Sequence, residues 1–315
     1  MRAHSKFSAS GSERWLKCAA SVGLEEASPP GVDSVWSIEG TRAHEVLEVL
    51  LKLCTMKEFS EQSRVASPMT SALLSPNVML ENASEAWVII RDDILPGLKK
   101  PEILIEQRVY NSDIHPEMFG TVDVAVFELG GTLHVIDYKY GEGHIVDPKE
   151  NTQMIQYALG LVAKYDWNFK KVIVHIIQPR GGGNTHKLWE VSIADLKNKW
   201  RPLWLKGVAR VEVGTSKPFP GSHCYWCRAG GNNADKKITC PAKREKMQEV
   251  RSEKVLNKFD TPFNEGILTN GEEKSKKENC SKAEIKPKNQ SKGGKKALEA
   301  FGQETGESED AGEWF

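Results

Sequence analysis

The spacing of apolar and polar residues divides the chain into a helical N-terminal part and a central part rich in strands. Helical spacing predicts three helices before residue 100: over residues 12–26, from a capping Ser37 to Cys54, and over 84–95. Residues 55–83 are rich in Ser, Met and Pro, which predicts a loop.

From residue 102 onward the pattern becomes that of strands, with β-branched and aromatic residues between turn signals. Strands are predicted at 102–110, 121–129, 132–140, 171–178 and 187–191, and helices at 151–165 and about 193–210. Gly130-Gly131 predicts a two-residue turn that pairs the second and third strands antiparallel. A helix, a three-stranded meander, a crossover helix and a further strand predict an α/β domain with a mixed sheet.

Composition predicts the cellular compartment of the protein and the boundary between its folded domain and its tail. The 315 residues carry 43 basic and 43 acidic side chains, and this balance argues mildly against a nucleic-acid binder. No segment has the pattern of a signal peptide or a membrane helix, so we expect a cytoplasmic protein. We therefore expect one domain over residues 1–249 and a disordered Lys-rich tail over 250–315.

Two acids and a lysine at strand ends are the first candidates for chemistry. Asp123 lies seven positions before Gly130, and Asp137 lies six positions after Gly131, so both fall near one rung of the hairpin. Asp137 and Lys139 share a face because they are two apart on a strand. Carboxylates there could hold Mg²⁺ against a phosphate while the lysine orients or deprotonates water. An ordinary surface ion pair is the alternative.

Four further side chains could complete such a site, and each has an ordinary explanation as well. His44 could supply an imidazole ligand or simply face solvent on its helix. Glu106 could support the acids or be an outward polar residue of its strand. Gln153 and Tyr157 share one helix face at i and i+4, as they would on any amphipathic helix.

Four motifs in order give these residues a common interpretation. They are Gly-Thr-x-x-His ending at His44, Gly-Thr-x-Asp ending at Asp123, Asp-Tyr-Lys at 137–139 and Gln-x-x-x-Tyr at 153–157. Together they resemble the RecB-type branch of the PD-(D/E)XK nuclease superfamily over residues 5–245, and are most similar to uncharacterised phage and prophage proteins. The resemblance implies a restriction-endonuclease-like mixed sheet flanked by helices.

The resemblance also implies residue roles. His44, Asp123, Asp137 and the Tyr138 carbonyl would ligate Mg²⁺ or Mn²⁺, with Glu106 among the catalytic acids. Lys139 would act on the attacking water, and Gln153 and Tyr157 would position DNA or the lysine. The implied activity is phosphodiester hydrolysis, as an exonuclease in phage DNA replication, recombination or degradation of host DNA. A non-catalytic DNA-binding or scaffold protein with the same fold is the alternative, and a nickel or zinc hydrolase of small substrates is a remote one.

The cysteines suggest a second metal centre. Cys224, Cys227 and Cys240 lie in a Cys-rich segment at 218–245, and Cys18 lies far upstream. This arrangement resembles the iron–sulfur staple of several RecB-like nucleases, so a [4Fe–4S] cluster or a zinc ion is implied, with unrelated thiols as the alternative. Residues 230–237 make the gap before Cys240 long and predict a flexible loop, which leaves His223 as a substitute ligand. Cys54 and Cys280 are not expected to ligate.

The tail carries the last candidates. Its Lys-rich part, 271–300, could contact DNA phosphates or serve as a solubilising linker. The chain ends in an acidic run followed by Trp314 and Phe315, which resembles the tails of single-stranded-DNA-binding proteins. We expect these two aromatics to anchor in an apolar pocket of a replication or recombination protein.

Overall fold

The fold centres on one five-stranded mixed sheet. The computed structural model describes residues 5–55 and 76–248, and the predicted tail, including Trp314 and Phe315, lies outside them. The strands follow the order β1-β2-β3-β4-β5, in which only β3 and β4 run parallel. They are β1 (Glu102–Tyr110), β2 (Phe119–Phe127), β3 (Thr132–Tyr138), β4 (Lys171–Ile177) and β5 (His186–Ser192). The predicted α/β class with a mixed sheet is therefore confirmed.

The connection between β2 and β3 is longer than the predicted two-residue turn. Four residues join the strands, and the Gly131 amide donates a hydrogen bond to the Glu128 carbonyl. Gly130 takes a φ of 74°, which glycine adopts without the steric cost of a side chain. The observed register pairs Val124 with Ile136, one residue away from the register that a two-residue turn would give. Asp123 and Asp137 therefore occupy the next position along the two strands.

Helices cover both faces of the sheet and differ from the prediction mainly at their ends. They are α1 (Ser12–Lys17), α2 (Ser21–Glu26), α3 (Val35–Thr55), α4 (Pro76–Ile89), α5 (Thr152–Lys164), α6 (Ile193–Asp195) and α7 (Arg201–Glu212). The single helix predicted over 12–26 is wrong, because Cys18 leaves helical geometry with φ −127° and ψ 87°. The α4 helix also begins inside the predicted loop, since proline is well suited to a first helical turn.

The capping residue of α3 is Ser34 rather than the predicted Ser37. The Ser34 hydroxyl accepts a hydrogen bond from the Ser37 amide at 3.1 Å, which satisfies one of the unpaired amides of the first turn. The helix therefore starts at Val35 and reaches His44 after two and a half turns.

Two hydrophobic layers hold the sheet between the helices. One face packs against α5, with Ala158 and Leu161 against Val135 and Val174. The other face packs against α3 and α4, with Leu47 and Ala83 in the same cluster as Ile136. Because β3 is buried on both faces, its register is fixed, and so is the position of the polar residues at its end.

Candidate metal and catalytic site

The candidate site lies where the sheet divides. Strands β2 and β3 are paired as far as Val124 and Ile136, and β3 then continues beside β4 alone. Beyond the last pair, Asp123 Oδ2 accepts a hydrogen bond from the Tyr138 amide at 2.7 Å. We call this point, where β3 separates from β2, the fork of the sheet. The buried carboxylate of Asp123 lies there, against the end of β3 that is no longer paired with β2.

Three side chains from three elements converge at this fork. His44 of α3, Glu106 of β1 and Asp123 of β2 offer ligand atoms that all lie within 4.8 Å of one another. His44 Nδ1 is 3.3 Å from Asp123 Oδ1 and 4.0 Å from Glu106 Oε1. An imidazole and two carboxylates form a donor set that suits a divalent cation such as Mn²⁺ or Mg²⁺, so this group could hold a metal.

Glu106 reaches the group through an unusual backbone conformation. Its φ is 47°, in the left-handed region that few residues other than glycine adopt. The neighbouring residues Ile105 and Gln107 remain paired to β2, so the distortion is confined to one residue of the strand. Local strain of this kind concentrates at functional sites, and here it occurs at a candidate ligand.

A second group of side chains lies beside the first, centred on Asp137. Lys139 Nζ lies 2.7 Å from Asp137 Oδ2, and the contact is an ion pair, since Oδ2 accepts no well-directed hydrogen bond from the described residues. Gln153 donates to Asp137 Oδ1 at 3.0 Å and to the Tyr157 hydroxyl at 3.1 Å. The structure thus brings Asp137, Lys139, Gln153 and Tyr157 into one network, with Asp137 engaged by Lys139 and Gln153.

Two local features explain how α5 supplies this network. The Asn151 side chain accepts hydrogen bonds from the amides of Gln153 and Met154, which caps the helix and sets Gln153 in its first turn. Gly120 allows Tyr157 to lie against β2, because a Cβ at residue 120 would fall 2.7 Å from Tyr157 Cε1. The glycine of the Gly-Thr-x-Asp motif therefore has a packing role.

Burial and neighbouring charges perturb the ionisable groups of the site. Burial lowers the pKa of His44, but the Asp123 carboxylate outweighs it and raises that pKa to about 9. Burial also lowers the pKa of Lys139, yet Asp137 and Asp123 raise it overall, so the lysine is held as a cation. Burial raises the pKa of Asp137 above its ordinary value, although Lys139 opposes the shift.

The site opens to solvent through a pocket of about 380 Å³. One side of the pocket is the α3 face that carries Thr41, His44 and Glu48, and the opposite side carries Glu106 and Asp123. Thr41 and Thr121, the threonines of the Gly-Thr-x-x-His and Gly-Thr-x-Asp motifs, also line the pocket. Sequence reasoning does not single out Glu48, and its spacing of four residues after His44 on α3 is the signal that could have found it.

The four candidate cluster cysteines come together in a separate region. Cys18, at the end of α1, accepts a hydrogen bond from the Phe219 amide at 3.4 Å and lies close enough to Cys224 and Cys240 for their thiolates to raise its pKa further, after burial. Cys227 and Cys240 pack in one buried cluster around Ala229. All four are free thiols in the structure.

The residues inserted before Cys240 form an ordered turn rather than the predicted flexible loop. The Ala229 carbonyl accepts hydrogen bonds from the amides of Thr239 and Cys240. Asn233 also donates to the Arg228 and Lys237 carbonyls. The insertion thus returns the chain to Cys227. The proposed substitute, His223, is buried, with Nε2 2.9 Å from the Phe219 carbonyl oxygen.

A ladder of three histidines has no counterpart in the sequence interpretation. His134 Nδ1 lies 3.0 Å from His175 Nε2, and His175 Nδ1 lies 2.9 Å from His186 Nε2. Asp93 Oδ2 is 3.4 Å from His186 Nδ1 at the end of the ladder. Burial and the adjacent imidazoles lower the pKa of His175 to about 2, so the central imidazole of the ladder is neutral at physiological pH. The available signal is a histidine within each of two apolar strands.

Membrane insertion finds no support in the described helices. No helix within residues 5–55 or 76–248 combines the length and apolar character that crossing a bilayer requires.

Comparison with solved structures gives a weak likeness, and comparison with protein families gives a clear family assignment. The solved structure titled "Crystal structure of SSO0001" is 14% identical, with a TM-score of 0.27, over 54% of this chain and 72% of that one. A likeness at this level carries no argument about activity. The family model described as "Protein of unknown function (DUF2800)" matches residues 4–282, so the chain belongs to the DUF2800 family.

Proposed function

We propose that the protein is a metal-dependent DNA nuclease whose active site is the fork of the sheet. The observation that carries the proposal is the group of His44, Glu106 and Asp123 beside the Asp137–Lys139 ion pair. Three carboxylates and one ammonium leave the fork a formal charge of −2 when His44 is neutral, which a divalent cation would balance. His44, Glu106 and Asp123 would hold Mg²⁺ or Mn²⁺, with Asp137 and the Tyr138 carbonyl as the further ligands that the motif resemblance implies.

The remaining residues of the site have distinct tasks in phosphodiester hydrolysis. A bound cation would supply Lewis-acid activation of the phosphate and a more acidic water. Lys139 is held as a cation, so it would orient water and stabilise negative charge that develops on the phosphate, instead of accepting a proton. Gln153 fixes the Asp137 carboxylate from α5, and Tyr157 fixes Gln153 in turn.

Within this class we favour an exonuclease that acts from DNA ends, since many members of the RecB-type branch that the motifs resemble are exonucleases. The test is Mg²⁺-dependent release of nucleotides from end-labelled linear DNA, single-stranded and double-stranded. We expect release by the wild type and by Lys149→Ala, an exposed lysine ten residues away, and none by Lys139→Ala. Cleavage by Lys139→Ala would place the active site elsewhere. Absence of release with DNA still bound would favour a non-catalytic DNA-binding protein.

We also propose that Cys18, Cys224, Cys227 and Cys240 hold a [4Fe–4S] cluster, with zinc as the alternative. We favour the cluster because the arrangement of these four cysteines resembles the iron–sulfur staple of RecB-like nucleases, and four thiolates also suit a tetrahedral zinc ion.

Metal analysis of anaerobically purified protein tests the cluster. We expect iron and acid-labile sulfide in the wild type and in Cys54→Ser, whose cysteine lies on α3. Cys224→Ser should lose both together with the visible colour and become less stable, because a cluster that joins distant segments contributes to folding. One equivalent of zinc in place of iron would establish the alternative, and fully folded metal-free protein would exclude both.

A further inference from the structure

The Cys-rich lobe, residues 217–248, has the surface of a nucleic-acid-binding module. It carries seven basic residues and two acidic ones, in a chain whose total charge is zero. Five of the basic side chains are exposed: Lys217, Lys236, Lys237, Arg244 and Lys246. The 32 residues of the lobe therefore carry a formal charge of +5, from seven basic and two acidic side chains, whereas the pocket at the fork is lined by acids.

The same lobe exposes large aromatic side chains. Tyr225 is 73% exposed and Trp226 is 64% exposed, and their ring centroids lie 4.6 Å apart in an edge-to-face arrangement. Both lie between Cys224 and Cys227, whose positions are fixed by hydrogen bonds of the turn. The two aromatics are thus held outward on a rigid support, although burying them would be more favourable in a protein without a ligand there.

We propose that this lobe binds single-stranded DNA, with Tyr225 and Trp226 as a platform on which bases stack and the lysines as phosphate contacts. Single strands combine exposed base faces with a charged backbone, and sites that bind them pair aromatic rings with basic grooves. In a duplex the base faces are stacked on one another, so they are not accessible for stacking on Tyr225 and Trp226. The lobe thus selects for unpaired strands.

The lobe contacts a segment of the chain that leads directly to the pocket at the fork. The Ala234 amide donates to the Pro30 carbonyl at 2.9 Å, and Ser37, seven residues further on, lines the pocket. Seven residues span at most about 25 Å, a distance that a few nucleotides can bridge. This inference rests on the proposed nuclease function. If the lobe binds single strands beside the fork, the substrate of the nuclease is a single-stranded DNA end.

The binding test uses anaerobically purified full-length protein without added Mg²⁺ or Mn²⁺, so that cleavage is not supported and any metal of the cysteines is kept, with fluorescein-labelled oligo(dT) and an abasic strand of equal length as probes. The wild type should bind oligo(dT) more tightly than the abasic strand. In Tyr225→Ala/Trp226→Ala the affinity for oligo(dT) should fall about 10-fold or more and the preference over the abasic strand should disappear. Trp226→Phe should retain the preference, and Tyr110→Ala, an exposed aromatic of β1, should leave binding unchanged.

A charge variant tests the lobe without touching the segment between the cysteines. Lys236→Glu/Lys237→Glu should weaken binding of both probes and reduce the slope of log affinity against log salt by about 1.4. Unchanged affinity in this variant, or an unchanged preference for bases in the double alanine variant, would overturn the proposal. Asp137→Asn separates the two functions. Loss of cleavage with intact strand binding supports both, while cleavage retained in Asp137→Asn would overturn the fork as the active site and leave strand binding by the lobe standing.

Discussion

Two histidine environments around one sheet differ in almost every respect. At the fork, His44 faces the carboxylates of Asp123 and Glu106, and its pKa is raised to about 9. In the ladder across β3, β4 and β5, His175 contacts two other imidazoles, and its pKa falls to about 2. His175 is buried and His44 is partly buried, and burial lowers the pKa of both, so burial cannot explain why the pKa of His44 rises.

The comparison shows that the neighbours of a buried imidazole decide what it can do. Carboxylates at the fork create a negative site that accepts a proton or a cation. Imidazoles at the ladder supply hydrogen bonds without charge, so the neutral form is favoured and the strands are joined by side chains as well as backbone. A metal centre is expected only in the first environment.

The largest expected effect separates the two environments by activity. Asp123→Asn removes a candidate ligand and the charge that holds His44, so we expect cleavage to fall by about 10³-fold or more. His175→Asn should leave cleavage within a few-fold, since the ladder does not line the pocket. Initial rates with end-labelled DNA and saturating Mg²⁺ measure both. Equal losses in the two variants would remove the distinction.

The next effect is the pH dependence of stability. The pKa of His134 is lowered to about 4 by burial and Lys171, and that of His175 to about 2, against 6.5 when unfolded. Between pH 6.5 and 5 the unfolded chain therefore binds more protons, and stability falls as pH falls. At pH 5 the loss is roughly 2 kcal/mol for each imidazole, about 4 kcal/mol together.

Denaturant unfolding of the wild type and of His134→Gln/His175→Gln, at pH 7.5 and pH 5, checks this expectation. The double variant should be less stable at pH 7.5 but lose less stability on acidification. Equal losses of stability on acidification in the wild type and in the double variant would show that His134 and His175 do not cause the pH dependence.

A smaller effect is expected at Gly120. Gly120→Ala places a methyl group against the Tyr157 ring, which we expect to destabilise the protein by about 1–3 kcal/mol and to slow cleavage by displacing Gln153. Gly143→Ala is the matched control, because a Cβ there meets nothing within 4 Å. Thermal unfolding and cleavage rates would be compared. Unaltered cleavage in Gly120→Ala would remove Tyr157 from the positioning network.

The smallest effect concerns Glu106. Glu106→Asn should raise stability by less than about 1 kcal/mol, since asparagine tolerates left-handed backbone and the variant removes one of three clustered carboxylates. Affinity for Mn²⁺, measured by calorimetry, should fall in the same variant. Unchanged Mn²⁺ affinity would exclude Glu106 as a ligand.

The strands could be predicted because each has a clear apolar pattern. Counting residues outward from a two-residue turn brings Asp123 near Asp137 but would pair it with Tyr138, one residue off the observed register, because four residues join β2 and β3. The break at Cys18 could not be predicted, because residues 12–26 keep helical spacing across it. Local propensity is overridden there by packing of α1 and α2.

Contacts between residues far apart in the sequence could not be predicted for a different reason. The ladder joins His134 and His175, which are 41 residues apart and meet only because β3 and β4 are parallel neighbours. Glu106 is recognisable as an acid on a strand, but its left-handed φ depends on the surrounding sheet. The grouping of Glu106 with His44, while Asp137 turns to Lys139, is therefore a property of the tertiary structure.

The strained backbone at Glu106 also bears on how this protein can evolve or be redesigned. Selection for heat resistance alone would favour glycine or asparagine at position 106, since either relieves the strain. Such lineages would keep the sheet and the lobe but lose the Glu106 carboxylate from the fork. Under the proposed function, glutamate at this position lowers stability but supplies a cation ligand, and a relative with glycine or asparagine there is expected to bind strands without cleaving them.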